Sequence, residues 1–129
     1  MKQKILTVIV PSYNMEALLR KDLQSLLISK NPQRLEVIVI NDGSKDQTLV
    51  IAQEFQSRFP ETFEVIDKPN GNYGSCINAG LKVATGKYIK IMDADDYFDT
   101  EVFEAFIDCL EKIDVDVVVN RIIDETCYH

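Results

Sequence analysis

The sequence predicts an α/β fold, a mostly parallel sheet with helices on both faces in a Rossmann-like arrangement. Three observations lead there. Short runs rich in Val and Ile recur along the chain, near-continuous rather than alternating, as in strands buried on both faces. Stretches with apolar residues at helical spacing separate them, so strand and helix alternate from one end to the other. Most of the runs lead directly into a cluster of turn-forming and polar residues.

Taken in order, the first strand is predicted over residues 5–10 and ends at Pro11-Ser12-Tyr13-Asn14. A helical stripe of Leu19, Leu23, Leu26 and Leu27 follows. The second strand, 35–40, runs into Asn41-Asp42-Gly43-Ser44, and the next helix carries Ile51, Ala52, Phe55 and Phe59. Ser44 with Gln47 reads as a capping box that starts it. The third strand, 63–66, gives way to Asp67-Lys68-Pro69-Asn70-Gly71. A helix over about 73–84 then places Ile77, Leu81 and Ala84 in register, with Gly86 closing it. The fourth strand, 88–92, meets Asp93-Ala94-Asp95-Asp96. The last helix begins near Thr100, buries Val102, Phe103, Phe106, Ile107 and Leu110, and leads to a fifth strand over 115–119. Its acids Glu101, Glu104 and Glu111 read as a solvated face. Right-handed crossovers would bring all four post-strand clusters to one edge of the sheet, where ligands of such folds bind.

Composition narrows the function. A chain of 129 residues holds one domain with a real core. Its formal charge of -7 repels polyanions, so nucleic acid is not an expected partner. An acidic protein that binds phosphate must correct the local sign with a cation or with helix N-termini. Cys76, Cys109 and Cys127 are odd in number and widely spaced, which fits buried thiols in a reducing compartment better than a disulfide framework or a zinc site. The apolar run near the start is broken by Pro11, and no stretch approaches the roughly 20 apolar residues of a membrane span. The expected location is the cytoplasm.

The chemistry gathers in the post-strand clusters. Three carboxylates within Asp93-Ala94-Asp95-Asp96, delivered by a buried strand, repel one another and invite a divalent cation; hard oxygen ligands suit Mg²⁺ or Mn²⁺. The competing reading is an acidic turn in which Asp96 or Asp99 caps the next helix. Gly43 and Ser44 explain a turn and a cap by themselves, but they leave Asp42 over as a pure acceptor able to read an N–H or a hydroxyl. Tyr13 either stacks on a nucleobase or covers the end of the sheet. Asn70-Gly71-Asn72-Tyr73-Gly74 either presents backbone N–H groups to phosphate or is a plain loop; it matches neither a dinucleotide fingerprint nor a Walker motif.

Val10-Pro11-Ser12-Tyr13-Asn14, Ile40-Asn41-Asp42-Gly43-Ser44, Asn78-Ala79-Gly80 and Asp93-Ala94-Asp95-Asp96 resemble, in order and spacing, the family 2 glycosyltransferases of GT-A fold. Each piece is weak alone and the combination is specific. The resemblance implies inverting transfer of a sugar from a nucleoside-diphosphate donor, commonly UDP-linked, to a hydroxyl of a glycan or lipid-linked acceptor. Envelope or extracellular polysaccharide synthesis is its usual setting. It implies that Pro11 and Tyr13 flank the base, that Asp42 hydrogen-bonds it, and that Asn78 belongs to the nucleotide-sugar site. Asp93 would reach the nucleoside, and Asp95 would bind Mn²⁺ or Mg²⁺ on the diphosphate.

Two departures stand out. Ile77 occupies a position where the family often has Arg, and Asn72 one where it often has Gly, which leaves the donor sugar open. The family's general base and acceptor-binding elements lie in the second half of the domain. Residues 1–129 therefore read as the nucleotide-sugar-binding half, without the acceptor-binding half and expected to be inactive in transfer alone. The full-length enzyme is compatible with peripheral membrane association. The alternative is a non-catalytic nucleotide-binding module. A receiver domain or phosphohydrolase would need an acid after the first strand, and a sugar nucleotidyltransferase a Gly-rich basic loop there; neither is present.

Overall fold

The computed structural model describes residues 4–93 and 99–112. Four strands form one sheet in the order β3-β2-β1-β4, with every pairing parallel. They are β1 (Leu6–Ser12), β2 (Leu35–Asp42), β3 (Phe63–Lys68) and β4 (Tyr88–Ile91). Helices α1 (Leu19–Gln24), α2 (Thr48–Arg58), α3 (Tyr73–Val83) and α4 (Thr100–Lys112) alternate with them, and a short 3₁₀ turn, Pro32–Arg34, precedes β2. The chain steps outward from β1 to β3 and then crosses to the far side of β1 for β4. The predicted fifth strand over 115–119 lies outside the described residues, as do Asp95 and Asp96.

The central strands are apolar on both faces because both faces are covered. Val8, Val10, Val37 and Val39 point to one side and pack with Leu19, Leu23, Phe55, Phe103 and Phe106 of α1, α2 and α4. Ile9, Ile38 and Ile40 point to the other and meet Cys76 of α3. Alternate residues of one strand thus serve two cores, which is the period-2 geometry of a pleated strand. On the α3 side the helix rides close to β1: a Cβ on Gly80 would stand 2.9 Å from Cγ2 of Ile9.

Several local expectations are corrected. The buried positions of α3 are Cys76 and Gly80, whereas Leu81 is exposed; small residues, not the largest apolar ones, face the sheet because the helix approaches so closely. Val102 is likewise exposed on α4. Ser44 does not cap α2: the residue before the helix makes no side-chain cap, and Asp46 Oδ1 accepts the Thr48 N–H at 2.9 Å instead. Glu104 and Glu111 are not merely a wet face. Glu104 Oε1 accepts the backbone N–H groups of Ser29 and Lys30 at 3.1 and 2.6 Å, and Glu111 pairs with the buried Arg34, which also bonds Asp108 at 2.6 Å. These contacts dock α4 against the approach to β2. Cys76 is an unbridged thiol, as expected, but Cys109 is disulfide-bonded, and Cys127 lies outside the described residues.

Candidate functional site

A cleft of about 400 Å³ opens at the carboxyl edge of the sheet. It is lined by Pro11, Ser12 and Tyr13 from the end of β1, Asp42 from the end of β2, Asn70 and Gly71 after β3, and Tyr73 and Cys76 from α3. Parallel strands make this convergence unavoidable, since all their carboxyl ends share one edge.

The loops are stitched to each other. Asn14 adopts a left-handed backbone with φ 51, a conformation asparagine tolerates better than most residues. From there its backbone N–H donates to Ser44 Oγ at 2.9 Å and its Oδ1 accepts the Lys45 N–H at 2.8 Å. Met15 N–H donates to Thr48 Oγ1 at 2.7 Å in the same seam. Asn14 and Ser44 therefore fix where Tyr13 and Asp42 stand. Gly43 has φ 70, and a Cβ on it would meet the backbone N of Asn70 at 2.6 Å, so the β2 and β3 loops touch where only glycine fits.

Asp42 is the hub. Its Oδ1 accepts the Lys68 ammonium at 2.9 Å and the Gly71 backbone N–H at 2.8 Å, while its backbone carbonyl accepts Asn70 Nδ2 at 2.9 Å. Burial works to raise the carboxyl's pKa. The Lys68 and Gly71 hydrogen bonds, with the charge of Lys68 and the Cys76 thiol, outweigh it and hold Asp42 below the ordinary carboxylate range. The Cys76 thiol is pushed upward, first by burial and then by the Asp42 charge, so it is a poor nucleophile here.

At the other rim, the Tyr73 phenol donates to Asp93 Oδ1 at 3.0 Å, linking the start of α3 to the segment just after β4. Asn72 caps α3, its Oδ1 accepting Ser75 N–H at 2.8 Å.

Of the residues singled out from sequence, Pro11, Tyr13 and Asp42 line the cleft, and Asp93 reaches it through Tyr73. Asn78 is exposed on α3 and is not among the lining residues. Asp95 lies outside the described residues, and among the described residues no three metal-ligating side chains gather. Asp93, an exposed carboxylate two residues before Asp95, offers the hard oxygen donor that Mg²⁺ or Mn²⁺ prefers. Sequence reasoning passed over Lys68, Tyr73 and Cys76 as individual site residues; only their loop or their helix was marked.

The model of glycosyl transferase family 2 matches residues 7–126. An uncharacterized glycosyltransferase of Mycoplasma pneumoniae, the MG060 homolog, is 38% identical over 117 residues, covering 88% of this chain and 39% of that protein. The minor teichoic acid biosynthesis protein GgaB of Bacillus subtilis is 31% identical over 115 residues, covering 87% of this chain and 13% of that one. The chain thus spans well under half the length of these curated relatives. Among solved structures, S. aureus TarS 1-349 in complex with UDP-GlcNAc superposes with a TM-score of 0.70 at 34% identity, over 81% of this chain and 31% of that one. The mannosyltransferase PcManGT from Pyrobaculum calidifontis, in complex with GDP-Man and Mn²⁺, shares the fold with a TM-score of 0.72 at 23% identity, over 83% of this chain and 32% of that one. With its all-parallel sheet and its cleft at the strand ends, this chain belongs to glycosyl transferase family 2 and has the GT-A fold.

Proposed function

We propose that this chain is the donor-binding portion of an inverting, metal-assisted glycosyltransferase that uses a nucleoside-diphosphate sugar, most simply a UDP-sugar. The observation that carries the reading is the convergence of the loops after β1, β2 and β3 on one cleft that Asp42 lines. Pro11 and Tyr13 flank the base, and the exposed Tyr13 ring supplies a stacking face. Asp42, an acceptor with no proton to give, takes an N–H of the base. Asp93 contacts the nucleoside, and Asn78 belongs to the sugar-nucleotide site further along α3. Asp95 and the donor's diphosphate hold Mn²⁺ or Mg²⁺. When bound, the cation supplies Lewis-acid stabilisation of the departing diphosphate.

TarS was solved with UDP-GlcNAc and PcManGT with GDP-Man and Mn²⁺, which supports a nucleotide-sugar donor and a divalent cation for this chain too. The relationship to a teichoic acid biosynthesis protein supports a role in envelope or extracellular polysaccharide synthesis, with a glycan or lipid-linked acceptor. No helix among the described residues is long and apolar enough to cross a membrane. On this reading the enzyme works on the cytoplasmic side and meets a membrane-borne acceptor peripherally. The chain covers 39% of one curated relative. Residues 1–129 then bind the donor, and the catalytic base and acceptor-binding elements are expected in the second half of the family's domain, so that residues 1–129 alone would transfer little or nothing.

Isothermal calorimetry with UDP, CDP, GDP and ADP, with and without Mn²⁺, tests the proposal. UDP is expected to bind best and to need the metal, with Asp42→Ala and Asp95→Ala each weakening it about tenfold or more, at least 1.4 kcal/mol. Equal affinity for all four nucleotides, or none for any, contradicts it.

A further inference from the structure

Asp42 of the cleft is paired with a residue from the cluster after the third strand that lies outside the family-like motifs. Lys68 ends β3, 26 positions from Asp42, and reaches across the β2–β3 boundary to Oδ1 of Asp42 at 2.9 Å. Its remaining contact is local, a donation to the Pro69 carbonyl at 2.8 Å. The pair is well shielded: 19% of the Lys68 side chain and 10% of that of Asp42 are exposed. Gly71 completes the arrangement. Its N–H shares Oδ1 with Lys68, and a Cβ at this position would come within 3.0 Å of the Lys68 ammonium and 2.7 Å of Ser75 Oγ.

A carboxylate has two oxygens, each able to accept about two hydrogen bonds. Lys68 and Gly71 both take Oδ1, so its capacity is used; the Cys76 thiol also bonds the carboxylate, and Oδ2 keeps capacity for one more donor from a ligand in the cleft that Asp42 lines. We propose that Lys68 is a positioning residue for nucleobase recognition: by pinning Oδ1 of Asp42 it orients Oδ2 as a fixed, ionised acceptor for a base N–H. The inference rests on the reading of Asp42 as the base contact.

Its consequence is a rule of selection. Uracil presents an N–H at the centre of its pairing edge and cytosine a bare ring nitrogen. An ionised carboxylate accepts from the first and is repelled by the lone pair of the second. A protonated carboxyl could donate to cytosine, so keeping Asp42 ionised keeps the selection. Two titratable groups bear on the Asp42 carboxylate, Lys68 from β3 and Cys76 from α3, and Lys68 is the cation. Without Lys68, burial would push the carboxyl upward, and the acceptor would be lost at a higher pH than in the parent chain.

The test compares UDP and CDP binding, at fixed Mn²⁺, by the full chain and its Lys68→Met and Lys68→Arg variants between about pH 7.5 and about pH 5.5. Thermal unfolding checks that each variant is folded. The parent is expected to prefer UDP across the range. Lys68→Met is expected to bind UDP about tenfold more weakly, to lose further affinity as the pH falls, and to narrow its UDP-to-CDP ratio. Lys68→Arg, which keeps the charge, is expected to recover most of the ratio, and it decides the matter if Lys68→Met does not fold. A Lys68→Met chain that is less stable but keeps the parent's ratio and pH profile overturns the positioning role and leaves the Asp42 reading standing, as does a Lys68→Arg chain no more selective than Lys68→Met. A parent chain that does not distinguish UDP from CDP sinks both.

Discussion

The Tyr73 phenol and the Asp93 carboxylate meet at 3.0 Å, joining the first turn of α3 to the segment just after β4. Asp42 binds the Gly71 N–H two residues before Tyr73, so a short chain of contacts connects Asp42 to Asp93 along one edge of the sheet. Asp93 and the loop that carries Asp42 therefore share that edge. Removing the phenol tests the link. Tyr73→Phe is expected to weaken UDP binding by about 0.5–1.5 kcal/mol, the usual worth of one hydrogen bond. Because Tyr73 is 53% exposed, the melting temperature should scarcely move. Calorimetry and thermal unfolding on the same sample separate the two effects.

The seam between the β1 and β2 loops depends on a left-handed asparagine. Asn14→Gly keeps the backbone and loses only the bond from Lys45 N–H, whereas Asn14→Ala also strains the φ of 51. Urea unfolding should show Asn14→Gly destabilised by about 1 kcal/mol and Asn14→Ala by about 2. The reverse order would mean that the seam does not hold the loop in this conformation.

Gly43 stands under two constraints at once, a φ of 70 and the backbone N of Asn70 at 2.6 Å from any Cβ. Gly43→Ala is expected to cost about 1–3 kcal/mol and to push the Asn70 loop away from Asp42. Nucleotide affinity should fall along with stability, which calorimetry on the folded fraction would detect.

Asp42 also links folding to pH. Its folded pKa lies below the unfolded value, so the stability it contributes is fully present above the ordinary carboxylate pKa. That contribution is lost as pH falls through the depressed folded value. Acid titration of the unfolding free energy should therefore show a slope below about pH 4 that Asp42→Asn flattens. An unchanged slope would show that the pair with Lys68 does not bind the carboxylate in its charged form.

Much of this was legible from residue order. The apolar runs located every described strand, most plainly the central β1 and β2, since a strand buried on both faces has no choice but to be apolar throughout. The edge strands β3 and β4 carry charged residues among their apolar ones. The sequence also pointed to Pro11, Tyr13 and Asp42, which the parallel topology then carries to one cleft. What it hid are relations between distant residues. Ser44 and Gln47 have capping-box spacing, yet Asn14, 30 positions away, takes the serine hydroxyl. The face of α3 was misjudged by a turn's fraction because Cys76 and Gly80 are small, and hydropathy gives little weight to residues whose value is the close approach they permit. Lys68 lies in a marked post-strand cluster but outside the family-like motifs, and nothing local announces a partner at Asp42.

The most direct test of the central claim is an amide NMR titration of the chain with UDP in the presence of Mg²⁺. The cleft predicts that the largest shifts fall on Tyr13, Asp42, Gly71 and Tyr73, and that they fade in Asp42→Ala. Shifts confined to the amino ends of the strands, or equally large with every nucleotide, would contradict it.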